Sequence, residues 1–114
     1  MADCIFCKIA AKQIPAKLAY EDDEVVAFHD IQPQAPVHLQ IIPRQHIARV
    51  SELDMKSSPL MTKLVMTAND LAKKLAISED GYRLVVNCNA GAGQSVYHLH
   101  LHLLGGRPMR WPPG

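Results

Sequence analysis

The chain has 114 residues, of which 48% are hydrophobic and 20% are charged, a composition that is typical of one globular domain and excludes a disordered chain. With 12 Lys and Arg against 11 Asp and Glu, the formal charge is +1, which argues against broad electrostatic binding of nucleic acid or of an anionic membrane. There is no apolar run of ~18 residues and no secretory leader pattern, so we expect a cytoplasmic protein without a transmembrane helix.

The first half of the chain predicts one short helix and three strands. Residues 4–13 are predicted to be helical, and Ile14-Pro15 ends this helix because proline lacks the amide N–H that a helix interior requires. Hydrophobic patterning, with turn residues and prolines between the segments, predicts strands at residues 17–21, 25–29 and 37–43.

The second half predicts a longer helix and two further strands. Ser58-Pro59 is typical of a helix start, and apolar residues at helical spacing continue to about Ala76. A fourth strand is predicted at residues 82–87, and a loop of small residues at 88–93 returns the chain antiparallel into a fifth strand. The Gly- and Pro-rich tail, residues 105–114, is predicted to lack regular structure.

Five strands and two helices with short connections favour an α+β fold over a doubly wound parallel sheet. We expect one domain over residues 1–114, built on a five-stranded antiparallel meander sheet. Both helices are expected to cover one face of the sheet, which would leave the other face free for a site.

The fifth predicted strand, within residues 94–104, contains three of the six histidines. His98, His100 and His102 alternate with leucines, which predicts three imidazoles on one strand face with Cα atoms of successive histidines ~6.6–6.8 Å apart. The outer Cα atoms would be ~13 Å apart, so the three rings would struggle to reach one ion at ~2.1 Å. The pattern therefore favours nucleophilic or acid–base chemistry over a metal bound by all three histidines.

Residues 98–104, His-Leu-His-Leu-His-Leu-Leu, match the His-x-His-x-His-x-x signature, with x apolar, of the histidine triad family. The chain resembles the nucleotide-binding branch of that family over almost its whole length, from Cys4 to Gly114. The other matching segments are Ile14-Pro15-Ala16-Lys17, Phe28-His29-Asp30-Ile31, Pro33-Gln34-Ala35-Pro36, Val85-Val86-Asn87, Gly93-Gln94-Ser95-Val96-Tyr97 and Trp111-Pro112-Pro113-Gly114.

The resemblance implies a HIT domain enzyme that acts at the α-phosphate of nucleoside 5′-phosphate derivatives. It implies a purine nucleoside 5′-phosphoramidate hydrolase, which releases an amine and a monophosphate such as AMP. A dinucleoside polyphosphate hydrolase is an alternative within enzymes. A nucleotide-sensing module without significant turnover is the alternative outside them.

By resemblance, His100 is the nucleophile and forms a nucleotidyl-histidine. The chemistry agrees, because a neutral imidazole nitrogen can attack phosphorus when an acceptor holds the other ring N–H. By the same resemblance His102 donates to a phosphate or leaving-group oxygen, and His98 and Ser95 complete the predicted catalytic set. A histidine at position 38 supports the triad in the family.

The predicted nucleotide site begins at Gly93-Gln94-Ser95, which can supply donors to a phosphate, although such a loop alone could be a plain hairpin turn. Asn87 could present its amide to the same phosphate. By resemblance Asp30 accepts from the ribose hydroxyls, whereas in isolation it could be a turn residue. With the histidines at 100 and 102, the predicted site also includes residues that could enclose a base: Ile5, Phe6, Phe28, His29, Ile31 and Leu39.

The 3 cysteines are an odd number, which argues against a secreted disulfide framework. Cys4-Ile5-Phe6-Cys7 offers two thiolates from one helical turn, although cysteines near a helix start often only pack. Some family members bind structural zinc through such a pair and two histidines, by resemblance His46 and His98. Other members lack the cysteines and fold without metal, and we expect catalysis itself to need no cofactor.

The tail residues 110–114 leave Trp111 beside prolines with no core element of their own. Tryptophan is enriched at protein interfaces. Together with the resemblance, this predicts a homodimer in which the tail reaches the partner subunit near its active site.

Overall fold

The computed structural model describes residues 3–114. One antiparallel sheet of five strands and two α-helices make up the fold, which confirms the α+β class. The elements in chain order are α1 (Ile5–Ala10), β1 (Leu18–Glu21), β2 (Val25–His29), β3 (Val37–Pro43), α2 (Ser58–Lys74), β4 (Tyr82–Val85) and β5 (Leu101–Gly105).

The strand order is β1-β2-β3-β5-β4, so the sheet departs from a plain meander at its last two strands. β5 lies between β3 and β4 and pairs antiparallel with both. Leu101 and Leu103 of β5 are fully buried, whereas every residue of β4 is only partly buried. The more apolar strand therefore lies inside the sheet, and this places His102 in a central strand.

The two helices lie on opposite faces of the sheet, so the expectation that both cover one face is wrong. Leu64, Ala68 and Leu71 of α2 pack on one face, in a core with Leu39 and Leu103. The other face is partly covered by α1, whose buried residues Phe6, Ile9 and Ala10 pack with Val26, Phe28 and Ile42. The four buried residues at the start of β2 explain this arrangement, since a strand apolar on both faces needs cover on both.

Both helices start close to the predicted positions and end earlier. α1 has Cys4 at its N-cap, where Sγ accepts from the Cys7 N–H at 3.3 Å, and it stops before Lys12, whose φ is +60°. α2 carries proline in its first turn as predicted and ends at Lys74. Within residues 3–114, neither helix combines the length and the apolar character needed to span a membrane.

The histidine segment is only partly a strand. β5 begins at Leu101, so His98 and His100 lie in the irregular segment before it. In that segment Leu99 donates its N–H to the Ile47 carbonyl at 2.6 Å instead of to a strand partner. As a result the three histidines do not share one face of a straight strand, and His98 is fully buried.

Candidate active site

A cavity of about 720 Å³ lies on the sheet face that α1 only partly covers. Its volume is within the range of ~300–1,000 Å³ that is usual for small-molecule sites. It brings together predicted site residues from α1, from the end of β2 and the turn after it, from the chain between β4 and β5, which includes the glycine loop (residues 88–95), and from β5. They are Ile5, Phe6, Phe28, His29, Asp30, Ile31, Asn87, Gly93, Ser95, His100 and His102.

Three predicted residues lie outside the cavity lining. Leu39 points into the α2 core on the opposite face, so it cannot enclose a base. Gln94 is 5% exposed, and its side-chain amide donates to the carbonyls of Ala48 and Val96 at 2.9 and 3.1 Å. Its Oε1 accepts from the Asn89 N–H at 2.8 Å, so Gln94 holds the loop in shape rather than facing a ligand. The third residue is the buried His98.

His100 has a fixed tautomer. Its Nδ1 is 2.8 Å from the carbonyl oxygen of His98, and because a carbonyl only accepts, Nδ1 carries the proton. Nε2 then holds the free lone pair of a ring that lines the cavity. The ring is also packed edge-on by Phe6, with the ring centroids 5.2 Å apart. This is the arrangement that an imidazole nucleophile requires.

His102 carries its proton on Nε2, whereas His100 carries its proton on Nδ1. The Gln34 backbone N–H donates to His38 Nδ1 at 3.0 Å, so the proton of neutral His38 is on Nε2. That nitrogen is 2.9 Å from His102 Nδ1, which accepts and leaves the His102 proton on Nε2. Burial, assisted by the neighbouring His100 and His38, lowers the pKa of His102 to about 4. Burial also lowers the pKa of His38, so both rings are neutral at pH 7.

Asp30 lies beside this pair of histidines. One carboxylate oxygen, Oδ1, accepts from the Gln32 N–H at 2.8 Å. The other, Oδ2, accepts from Gln40 Nε2 at 2.7 Å and is 3.5 Å from His38 Nε2. The sequence reasoning missed Gln40, although its position two residues after His38 on a strand places both side chains on the same face.

The glycine loop forms the other end of the cavity. A 3₁₀ turn at Ala90–Ala92 leads into Gly93, whose φ of +90° is accessible to glycine at little cost. Ser95 and Asn87 line the cavity beside this turn, together with His100. A hydroxyl, an amide and an exposed backbone therefore line the same cavity as His100 and are able to donate hydrogen bonds to an anionic group.

Cys4, Cys7, His46 and His98 form a second cluster, with one ligand atom from each lying within 4.8 Å of the others. Cys4 Sγ is 3.3 Å from His98 Nδ1, and Cys7 Sγ is 3.3 Å from His46 Nδ1. His98 Nε2 donates to the Pro43 carbonyl at 2.8 Å, so its Nδ1 lone pair faces the thiols. Two thiols and two imidazoles are the donor set that fits a tetrahedral zinc ion.

His98 belongs to both sites. Its ring faces the thiols, while its backbone carbonyl holds the Nδ1–H of His100. Burial lowers the pKa of its ring, and burial raises the pKa of the Cys7 thiol. The side chain of His98 does not line the cavity, and its predicted catalytic role can be exerted only through the backbone carbonyl that contacts His100.

Comparison with known proteins gives consistent matches. The family model described as HIT domain matches residues 11–109. An uncharacterized HIT-like protein of Synechococcus elongatus is 48% identical over 112 residues, which cover 98% of this chain and 97% of that protein. A crystal structure of a HIT family hydrolase from Legionella pneumophila has 54% identity and a TM-score of 0.97, covering 98% of this chain and 100% of that one.

A histidine triad nucleotide-binding protein from Candida albicans has 31% identity and a TM-score of 0.83, covering 96% of this chain and 83% of that one. These matches extend over nearly all of the sheet, both helices and the histidine segment. The chain belongs to the HIT domain family.

Proposed function

We propose that this protein is a nucleotide-binding hydrolase that cleaves the P–N bond of purine nucleoside 5′-phosphoramidates, with His100 as the nucleophile. The observation that carries the proposal is the His100 ring, which lines the cavity with Nδ1–H held by the His98 carbonyl and Nε2 left free. The hydrolase from Legionella pneumophila and the nucleotide-binding protein from Candida albicans support this class of activity.

In the first step His100 Nε2 attacks the α-phosphorus as the P–N bond breaks, and the amine leaves with a proton taken from solvent. The imidazolium that forms is stabilised by the hydrogen bond from Nδ1 to the His98 carbonyl. In the second step water attacks phosphorus, the P–N bond to His100 breaks, the monophosphate leaves, and the proton is returned to solvent.

His102 acts in this scheme as a neutral hydrogen-bond donor. With Nδ1 accepting from His38, its Nε2–H is available to a phosphate oxygen, where it stabilises charge in the transition state. Since burial keeps its pKa near 4, it is a donor to the phosphate rather than a reservoir of protons for the leaving group at pH 7. Ser95 and the Gly93 backbone supply further donors.

The remaining cavity fits a nucleoside. Asp30 is the acceptor for ribose hydroxyls, and apolar walls from Phe6 and Phe28 suit a purine ring. Ile31 lines the same cavity and is 95% exposed, so covering it with a base would remove apolar surface from water.

The test is turnover of a fluorogenic adenosine phosphoramidate, combined with single-turnover trapping of a phosphorus–nitrogen adduct. Hydrolysis with an adduct on His100 supports the proposal. Faster cleavage of a diadenosine polyphosphate would favour the alternative substrate class. Nucleotide binding without adduct or turnover would identify a sensing module and overturn the proposal.

We further propose that Cys4, Cys7, His46 and His98 hold a structural zinc ion. The support is the closeness of the four ligand atoms and the His98 tautomer, which directs a lone pair at the thiols. When bound, the ion supplies a cross-link between α1 and the segments that carry the two histidines. The hydrolytic steps use the nucleotide cavity and no metal.

We also propose a homodimer. Trp111 is 83% exposed, and β4 is an edge strand of the sheet. Arg83 of β4 donates to the Arg110 carbonyl at 2.9 Å, so the tail lies beside that edge. An exposed tryptophan next to a strand edge that pairs with no other strand of residues 3–114 favours a second copy of the chain as the partner.

A further inference from the structure

Gln40 occupies the site face of β3, where its cross-strand neighbours are His102 and Phe28. Its Nε2 donates to Asp30 Oδ2 at 2.7 Å. This settles the orientation of the amide, because the reverse orientation would place Oε1 against a carboxylate oxygen. Oε1 is then buried, with no hydrogen-bond partner among residues 3–114.

An unpaired buried acceptor is costly. An apolar side chain of similar size would fill the same space without that cost. An amide at this position therefore points to a specific use of its N–H, in line with the tendency of unsatisfied polar atoms to mark functional positions.

His38 has one N–H and two acceptors competing for it. Because Nδ1 accepts from the Gln34 N–H, the only proton is on Nε2. That nitrogen is 2.9 Å from His102 Nδ1 and 3.5 Å from Asp30 Oδ2. An ionised carboxylate is ordinarily the stronger acceptor, so the proximity of Asp30 threatens the contact between the two histidines.

We propose that Gln40 is a positioning residue: by donating to Asp30 Oδ2, it leaves the His38 N–H to His102 Nδ1 and thereby fixes the His102 tautomer. The Nε2–H of His102 then faces the substrate phosphate. The catalytic consequence rests on the proposed function, whereas the tautomer is a property of the free protein.

Replacing Gln40 by Met keeps the length of the side chain and removes the N–H. The His38 N–H then turns to Asp30 Oδ2, and His102 Nδ1 loses the donor that kept it unprotonated, so the ring proton of His102 can move from Nε2 to Nδ1. The Nε2 lone pair would then face the phosphate and repel it. We expect kcat for the phosphoramidate to fall roughly 10- to 100-fold, below the 10²–10³ for complete loss of an oxyanion donor, with little change in KM.

The decisive measurement is the tautomer of His102 in nucleotide-free protein, read from ring ¹⁵N shifts and long-range ¹H–¹⁵N couplings. Wild type should show a protonated Nε2 and an unprotonated Nδ1. Gln40→Met should show a protonated Nδ1. In Gln40→Met with Asp30→Asn, the weaker amide acceptor should restore the wild-type tautomer, a rescue that a merely structural role does not predict.

Gln45→Met is the matched control, because Gln45 is exposed and does not line the cavity, and it should leave tautomer and kcat unchanged. Gln40→Asn, which keeps the amide but is too short for the contact, should behave like Gln40→Met and serves if that variant misfolds. An unchanged His102 tautomer in the folded Gln40 variants, or no rescue by Asp30→Asn, overturns the proposal. If the tautomers behave as stated but wild type does not hydrolyse phosphoramidates, the proposed function fails and the positioning of His102 stands.

Discussion

His100 and His102 carry their protons on different ring nitrogens, although they are only two residues apart. A main-chain carbonyl holds Nδ1–H of His100, and a third histidine donates to Nδ1 of His102. One ring thereby offers a lone pair to the cavity, and the other offers an N–H as a hydrogen-bond donor at the same pH. This division of labour is set by neighbours, since the two side chains are chemically identical.

The difference predicts unequal effects of truncation. His100→Ala should lower kcat/KM for adenosine phosphoramidates by a factor of about 10⁴–10⁶, because the covalent route is lost. His102→Ala should cost less, roughly 10²–10³, as expected for one donor to the phosphate. Measurement of kcat/KM for both variants on one fluorogenic substrate checks this, with AMP binding as a control for the fold. Near-normal turnover by His100→Ala would exclude it as the nucleophile.

The pKa of His102 also predicts a stability effect. Its folded pKa of about 4 lies below the ordinary value near 6.5, so between these pH values the unfolded chain binds the proton and the folded protein does not. The free energy of unfolding should therefore decrease as pH falls from about 6.5 to about 4, by ~3 kcal/mol at most from this residue. Urea unfolding at pH 7 and 4.5 should show a larger loss for wild type than for His102→Gln; equal losses would contradict the assignment.

Between secondary-structure elements, an ion pair connects the β1–β2 turn to α2. Asp22 accepts from Tyr20 at 2.7 Å and from the Glu24 and Val25 backbones at 2.8 and 2.9 Å, and its Oδ2 lies 2.9 Å from Lys63 Nζ. Partial burial opposes the effect, but these contacts together hold the pKa of Asp22 well below its ordinary range. The turn and the helix are thus joined mainly through the Asp22 carboxylate, and Glu24 Oε1 lies 3.8 Å from the same Lys63 Nζ.

Asp22→Asn should lower the free energy of unfolding at pH 7 by roughly 2 kcal/mol, since hydrogen bonds to a charged group are lost. Because the folded pKa is depressed, the carboxylate stabilises above about pH 4 and its contribution disappears as pH falls further. The difference between wild type and variant should therefore shrink below pH 4. Asp23→Asn, at an exposed neighbouring position, is the control, and a difference that does not change with pH would refute this account.

α1 is too short to persist by itself, since helices below ~12–15 residues are marginal in water. Its apolar side packs on the sheet, and Cys4 and Cys7 lie at its start. Protein purified without added zinc should contain near one zinc per chain by elemental analysis. Cys4→Ser with Cys7→Ser should abolish the metal, whereas Cys88→Ser should retain it. Metal-free, well-folded wild type would rule the site out.

For the whole molecule, the exposed Trp111 in the tail predicts that the protein forms a homodimer. Sedimentation at micromolar concentration should show a dimer, and Trp111→Ala should weaken it, because tryptophans are frequent hot spots whose truncation costs ~2 kcal/mol or more. Met55→Ala is a control, as Met55 is also highly exposed but belongs to the segment before α2 and not to the tail. A monomeric wild type would refute the proposed dimer.

The sequence predicted those structural features that are determined by residues close together in the chain, and it missed those that depend on contacts between distant residues. β2 and β3 have the predicted bounds because turn residues and prolines limit two apolar runs. The late start of β5 depends on Leu99 bonding to the distant Ile47 carbonyl, which periodicity cannot reveal. The apolar residues of α1 predict that the helix packs on the sheet, but they do not determine which face of the sheet it covers.

The same limit applies to the site. The alternating histidines and the glycine loop, both local patterns, predicted His100, His102, Gly93 and Ser95, which line the cavity. Gln94 matched the motif but turned inward to three backbone groups, and Gln40 matched no motif but contacts Asp30. The role of a side-chain amide depends on the groups to which it hydrogen-bonds. Ala48 for Gln94 and Asp30 for Gln40 are distant in the chain, so the sequence pattern around each glutamine does not predict its role.

His98 connects the thiol cluster to His100, because its ring faces Cys4 and its carbonyl contacts His100 Nδ1, and this connection has a pharmacological consequence. A chelator or an oxidant that disturbs the thiol cluster would shift the His98 backbone and thus loosen the carbonyl that orients His100. Such an agent would act at the thiol cluster and not by occupying the cavity, so raising the substrate concentration would not relieve its inhibition. Loss of activity in stored or oxidised protein would then appear as a lower kcat with an unchanged KM, reversible by reductant and zinc.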